Sequence, residues 1–208
     1  MSRADPHRIE SPEALRALIG ETVPGTETKV LETLDDFAKD FLGRSPFLVL
    51  STSDALGNLD ASPKGDAPGF VLIEDDTTLV IPDRPGNKLA FGHLNILANP
   101  HVGVLAMVPG TPETLRINGR AELTSDPALL ERLAARGRPA VLANRIHIDQ
   151  CFFHCAKAFI RSNLWKPEEW GERHRVSFGE MIAARTTSDE QTARAIDEAI
   201  ETDYRENL

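Results

Sequence analysis

Phe47-Leu48-Val49-Leu50-Ser51-Thr52, then Asp54-Ala55-Leu56-Gly57-Asn58, then Leu59-Asp60-Ala61-Ser62-Pro63-Lys64-Gly65 follow one another without interruption. An apolar β-like run, a turn built from Asp, Gly and Asn, and a second extended segment read as a β-hairpin. The pattern repeats. Phe70-Val71-Leu72-Ile73, the Asp75-Asp76 turn and Thr78-Leu79-Val80-Ile81 give a second hairpin. Further strands are expected at Val102 to Met107, Leu115 to Leu123, Val141 to Ile148 and Cys151 to Ile160. Tight connections dominate, whereas a parallel sheet needs a helical crossover between almost every pair of strands. The expected fold class is therefore mainly β with peripheral helices (α+β), closed as an antiparallel barrel.

Helices are expected around this body. Ser11-Pro12-Glu13 supplies an N-cap and a first-turn proline, and Leu31, Leu34, Phe37, Ala38, Phe41 and Leu42 recur at helical spacing until Gly43. Leu89, Leu94, Ile96 and Leu97 suggest a helix near residues 88 to 97. Asp126-Pro127 caps a stripe of Leu129, Leu130 and Leu133 that Gly137 closes. Ser188 and Gln191 form a capping box for a last helix with Ala193, Ile196, Ala199 and Ile200 facing inward. With 208 residues and 41% hydrophobic content, one domain is expected over 1–208, with helices in 1–44, the barrel in 45–165 and helices in 166–208.

Composition narrows the partners. The chain has 32 acidic against 23 basic residues, a formal charge of −9, so its overall field repels nucleic acid and acidic membrane surfaces. No stretch approaches the roughly 18 apolar residues of a membrane span. Two cysteines, Cys151 and Cys155, in a chain of this length require no disulfide scaffold, and the protein is read as cytoplasmic. On a strand, Cys151 and Cys155 share a face that excludes His154, so no metal site is expected. No nucleophile elbow or dinucleotide fingerprint is present, and no catalytic side chain is assigned.

One run carries chemistry. Leu79-Val80-Ile81-Pro82-Asp83-Arg84-Pro85-Gly86-Asn87-Lys88 is a strand that stops at a turn bearing two cations and an amide. Arg84, Asn87 and Lys88 are expected beside a helix N-terminus, where backbone N–H groups and fixed cations converge on an anion. Strand alternation also puts Ser62, Lys64 and Asp66 on one face, and Pro63 within the strand points to an edge or a bulge.

Ser62-Pro63-Lys64-Gly65-Asp66, Asp83-Arg84-Pro85-Gly86-Asn87-Lys88, Asn99-Pro100-His101-Val102-Gly103-Val104 and Glu113-Thr114-Leu115-Arg116-Ile117-Asn118-Gly119-Arg120-Ala121 stand in this order. Together they resemble the FMN-binding split-barrel flavoproteins related to pyridoxamine 5'-phosphate oxidase. The closing Phe153 to Ser162 with Leu164-Trp165 is similar to the last barrel strand of an uncharacterised branch of that superfamily. The resemblance implies an antiparallel split β-barrel and a homodimer holding FMN in grooves between subunits. It places Ser62 and Lys64 along the flavin, Ile81 at the end of a strand facing the ring, and Arg84, Asn87 and Lys88 at the phosphate. It further implies that Arg116 approaches the cofactor and that Arg161 or Trp165 reaches across from the partner subunit.

The function implied is an FMN-dependent oxidoreductase acting on a small molecule, with NAD(P)H as a candidate electron donor. The alternatives are a non-catalytic FMN-binding or storage module and a haem-handling protein of the same superfamily, with His101, His147 or His154 on the iron. The founding oxidase's arginine-and-histidine substrate motif has no match here. Arg173-His174-Arg175 lies in a different setting, so the resemblance leaves the substrate unnamed.

Overall fold

The computed structural model describes residues 5–186 and 189–206. The chain divides into two compact units, Met1–Val30 and Leu31–Leu208. The first contains α1 (Pro12–Ile19). The Ser11 side chain accepts the Ala14 N–H at 3.1 Å, Pro12 occupies the first turn, and Gly20 ends the helix with φ of 80°. The N-cap and the first-turn proline stand where the sequence placed them.

In the second unit the chain enters through a two-hydrogen-bond bridge between Leu31 and Cys151, at 2.9 and 2.7 Å. The helix expected from Leu31 begins later, as α2 (Asp36–Arg44), because Asp35 caps it by accepting the Ala38 N–H at 2.8 Å. It runs past Gly43 and buries Ala38, Phe41 and Leu42, while Phe37 is exposed. Phe41 meets Phe153 edge to face, 5.4 Å between centroids.

The seven strands are β1 (Phe47–Ser53), β2 (Leu59–Gly65), β3 (Leu72–Asp75), β4 (Thr78–Asp83), β5 (His101–Met107), β6 (Thr114–Thr124) and β7 (Leu142–His154). They form one sheet in the order β2-β1-β5-β6-β7-β4-β3, and all six pairings are antiparallel. Alternate residues of the central strands point to one core: Leu48 and Leu50, Val102, Val104 and Ala106, then Leu115 and Ile117. A bulge between Asn118 and Gly119 shifts the register against β7, so that Ile146, Ile148 and then Cys151 all face the same core.

Strand β4 is buried along its whole length. Leu79 and Ile81 enter the main core, and Val80 enters a second one with Leu129, Leu133, Ala140 and Ala143. This two-sided burial is why its sequence reads as a continuous apolar run. The second core is covered by α4 (Pro127–Arg132), which ends at Leu133, before the Gly137 that the sequence offered as its stop.

Two expectations are overturned. The strand expected through Ile160 ends at His154, and the chain turns into helix α5 (Lys157–Ser162), closed by Asn163 in the left-handed region. The helix expected near residues 88 to 97 is present as α3 (Phe91–Ala98), but its buried side is Gly92, His93 and Ile96. Leu89, Leu94 and Leu97 are exposed, so of the expected apolar stripe Ile96 alone faces the core.

At the C-terminal end α6 (Phe178–Thr186) and α7 (Glu190–Glu206) form a helical hairpin. Gly179 lies directly against the Ala193 backbone, and Asp197 accepts from the Ser177 hydroxyl at 2.6 Å and the Gly179 N–H at 2.8 Å. Ala193 is buried, Ile196 and Ile200 are half-buried and Ala199 is exposed; Ser188 lies outside the described residues. Among the described residues no helix is long and apolar enough to cross a membrane.

Candidate functional site

The sheet has an unpaired edge at β2, and its sequence faces the unusual way. Asp60, Ser62 and Lys64 are half-buried, and Asp66 just beyond the strand is too, while Ala61, Pro63 and Gly65 are exposed. The polar face is thus the inward one. An edge strand offers unpaired backbone N–H and C=O groups, and Pro63 is tolerated at such an edge.

What these polar residues meet is the far end of the sheet. Lys64 forms an ion pair with Asp83, the last residue of β4. Arg84, one residue on, donates Nε–H to Asp66 Oδ2 at 2.8 Å, and its Nη2 lies 2.8 Å from the same oxygen. Strands β2 and β4 are five places apart in the sheet, so the sheet curls until these ends approach, held by side chains instead of a backbone ladder. That is the split in the barrel.

The gap is a cleft of about 460 Å³, lined by residues 60–66, Phe70, Pro82 to Pro85, Asn87, Leu89 and Phe91. It lies within the size range of small-molecule sites, about 300–1,000 Å³. Four of the residues singled out from the sequence line it: Ser62, Lys64, Arg84 and Asn87. Ile81 lies beneath, fully buried, its carbonyl accepting from Asn144 Nδ2 at 3.3 Å. Lys88 stands exposed on the adjoining loop.

Arg116, Arg161 and Trp165 are outside the cleft of this chain. Arg116 is exposed on β6, opposite Leu105 on one neighbour and Phe152 on the other. Arg161 is exposed on α5, where a strand was expected. Trp165 donates its indole N–H to the Thr111 carbonyl at 2.9 Å and stacks on Phe159, 5.7 Å between centroids. The histidines weighed as haem ligands, His101, His147 and His154, do not line the cleft either.

The electrostatics differ from the simple anion grip read from the sequence. Three carboxylates, Asp60, Asp66 and Asp83, share the cleft with two cations. Arg84 also donates Nη1–H to the Leu133 carbonyl at 2.8 Å, which draws its guanidinium toward the end of α4. The helix start is occupied too. Ala90, in the left-handed region with φ of 52°, precedes α3, and Asn87 Oδ1 accepts the Ala90 N–H at 3.1 Å. A Cβ placed at Gly92 would stand 3.1 Å from Asp60 Oδ2 and 3.4 Å from the Ser62 hydroxyl. The negative group next to that N-terminus is therefore the protein's own Asp60, which also accepts from the Ser62 hydroxyl at 2.7 Å.

Sequence reasoning missed His93. It is buried against the ion pair, with Nε2 3.7 Å from Asp83 Oδ1 and no hydrogen-bond partner among the described residues. Burial lowers its pKa, and Lys64 adds to the lowering while Asp83 and Asp60 oppose it. The neutral imidazole is the favoured form. Among the described residues no cluster of three metal-ligating side chains occurs, and Cys151 and Cys155 are both free.

The chain is similar, at low identity, to several solved structures, three of them as follows. HupZ of Group A Streptococcus is 18% identical, with 58% of this chain and 93% of that chain covered and a TM-score of 0.48. General Stress Protein 26 of Bacillus anthracis is 17% identical over 55% and 88%, TM-score 0.42. An FMN-binding protein of Syntrophomonas wolfei is 10% identical over 56% and 87%, TM-score 0.43. No curated protein matches the chain. The sequence model of the pyridoxamine 5'-phosphate oxidase family matches residues 34–155, more than half of the chain and all seven strands from β1 to the end of β7. The chain belongs to the pyridoxamine 5'-phosphate oxidase family.

Proposed function

We propose that the cleft between β2 and the Asp83–Lys88 turn binds FMN, and that the protein is an oxidoreductase passing electrons through it to a small molecule. The observation that carries this reading is the convergence, in one cleft, of an unpaired strand edge with the Lys64, Arg84 and Asn87 side chains. The residues fit the group. The free edge of β2 supplies backbone donors and acceptors for a heterocycle lying along it. Lys64 and Arg84, although paired, retain N–H donors beyond those used on Asp83 and Asp66. Asn87 and the exposed Lys88 extend the polar end toward a phosphate.

A bound flavin supplies the exchange of a hydride or electron pair at its ring. The chain's part is to orient and to screen. Phe70 and Phe91 give the cleft apolar walls, and Asp60 holds the Ser62 hydroxyl in place. Asp83 keeps Lys64 directed into the gap. NAD(P)H is the proposed electron donor. A homodimer completes the proposal, with Arg116, Arg161 and Trp165 available to a partner's cleft, and a reducing cytoplasm suits the two free thiols.

The test is a titration of FMN and riboflavin, followed by flavin fluorescence. FMN is expected to bind, and Arg84→Ala combined with Lys88→Ala should weaken FMN at least tenfold while leaving riboflavin nearly unchanged, since two charge-assisted contacts to phosphate are lost. A colourless protein that leaves added FMN fluorescence unaltered refutes the reading. Bleaching of the bound flavin by NADH or NADPH separates the enzyme from a storage module, and a Soret band would favour haem instead.

A further inference from the structure

The cleft does not end at Arg84. Beyond that guanidinium it continues into a crevice of about 150 Å³, which shares Gly65, Asp66, Arg84 and Pro85 with the cleft and adds Arg136 and Arg138. At about 30 Å³ per water, that is room for a group of several heavy atoms. The charge balance reverses here. Three carboxylates face two cations in the main cleft, whereas in the crevice three arginines face Asp66 alone.

Asp66 is already paired with Arg84, so Arg136 and Arg138 are the surplus. Among the described residues no carboxylate pairs with either. Among the described residues the Arg138 side chain makes one long hydrogen bond, Nη2 to the Glu206 carbonyl at 3.4 Å. The backbone presents them deliberately. Ala135 and Arg138 exchange two hydrogen bonds of 3.0 Å across a two-residue turn, with φ of 53° at Arg136 and 75° at Gly137. Such a turn needs positive φ at both central positions, and the first normally goes to Asn, Asp or Gly. Arg136 holds that position against its conformational preference, as residues at ligand sites often do.

We propose that this crevice is an oxyanion subsite, taking a phosphate or carboxylate group carried by a molecule that lies in the cleft. Guanidinium groups suit such a group because each can give it two parallel hydrogen bonds. The subsite rests on the cleft being a ligand site and not on that ligand being a flavin. The oxyanion has two sources: the phosphate of the flavin nucleotide, or an acidic group on a second molecule.

The experiment uses the full chain and the double variant Arg136→Asn with Arg138→Gln. Asn suits the left-handed position, so the turn is retained, and thermal unfolding checks the fold. Binding of FMN, riboflavin and inorganic pyrophosphate is measured, the last with and without FMN. The variant is expected to bind pyrophosphate at least tenfold more weakly. If the source is the flavin nucleotide, FMN also weakens at least tenfold while riboflavin does not, and pyrophosphate competes with FMN. If the source is a second molecule, FMN binding is unchanged and pyrophosphate binds the FMN-loaded protein. Equal affinities of wild type and variant for both pyrophosphate and FMN overturn the proposal. A wild type that ignores both flavins but holds pyrophosphate through these arginines overturns the flavin reading and leaves the subsite standing.

Discussion

Replacing Lys64 by Met should destabilise the protein by about 3 kcal/mol at pH 8, because it strands a carboxylate where the barrel fails to close. The Lys64 and Asp83 side chains are 10% and 9% exposed, and removing one partner of a buried pair costs about 3–5 kcal/mol. The slight solvent access argues for the lower end. With a urea dependence of about 2.5 kcal/mol per M, the unfolding midpoint should fall by about 1.2 M. The double variant Lys64→Met with Asp83→Leu removes both charges and should cost only about 1 kcal/mol, giving a coupling of at least about 2 kcal/mol. His93 makes the loss pH-dependent. Lys64 is one of the causes that keep the His93 pKa low, and Asp83 favours the imidazolium. Without Lys64 that imidazolium forms more readily, 3.7 Å from Asp83, and takes over part of the pairing. The cost of Lys64→Met should therefore be smaller at pH 5.5 than at pH 8. Urea unfolding of the four proteins at both pH values is the assay. A loss below about 1 kcal/mol at pH 8, or a cost indifferent to pH, refutes the account of this pair.

In the wild type the sign for His93 is the opposite one. Its folded pKa lies below the ordinary 6.5, so on acidification the unfolded chain takes up the proton first and stability falls as the pH drops below about 6.5. Urea midpoints measured from pH 7.5 to 5 should show this slope, and His93→Gln should flatten it. Gly119→Ala should cost about 2 kcal/mol, because the added Cβ runs into the His147 carbonyl at the bulge and stands 3.1 Å from Ile146 Cγ2; thermal unfolding that leaves the midpoint unmoved would show that the bulge yields freely.

The hairpins were legible because their turns are local. Asp54 alone accepts the Leu56 and Asn58 N–H groups and the Asn58 amide, and Gly57 takes a φ of 86°, so the β1–β2 turn is written in five residues. The β3–β4 hairpin was read from its Asp75-Asp76 turn in the same way, but the two-sided burial of β4 was not, because Leu129, Leu133, Ala140 and Ala143 reach Val80 from far along the chain. Misreadings fall where distant packing decides. Lys157-Ala158-Phe159-Ile160-Arg161-Ser162 has an aromatic and a β-branched residue side by side, yet it is helical, closed by Asn163 and by Trp165 folding back on Phe159. In α3 the leucines mark the exposed side, because Gly92 gives the close approach to Asp60 and Ser62 that a larger residue would block.

At the site, residue types were legible and their pairing was not. Lys64 and Arg84 stand out as cations, and Asp66 and Asp83 lie beside them in the same two motifs, but neighbours in sequence do not pair here. The bonds cross between motifs, Lys64 to Asp83 and Arg84 to Asp66, and that crossing exists only once the sheet has curled. It has a consequence for binding. Two partly buried cations facing each other across an open seam would be held apart by repulsion and desolvation, so the carboxylates that neutralise them are what let the seam form. The same carboxylates weaken the attraction of the seam for any anion. Lys88, Arg136 and Arg138 are exposed at the rim, where solvation by water makes an unpaired cation inexpensive, and the proposed anion binding would draw on these charges. On the proposed binding roles, substitutions at Lys64 should act first on stability, those at Arg84 on both stability and binding, and those at Arg136 and Arg138 mainly on binding.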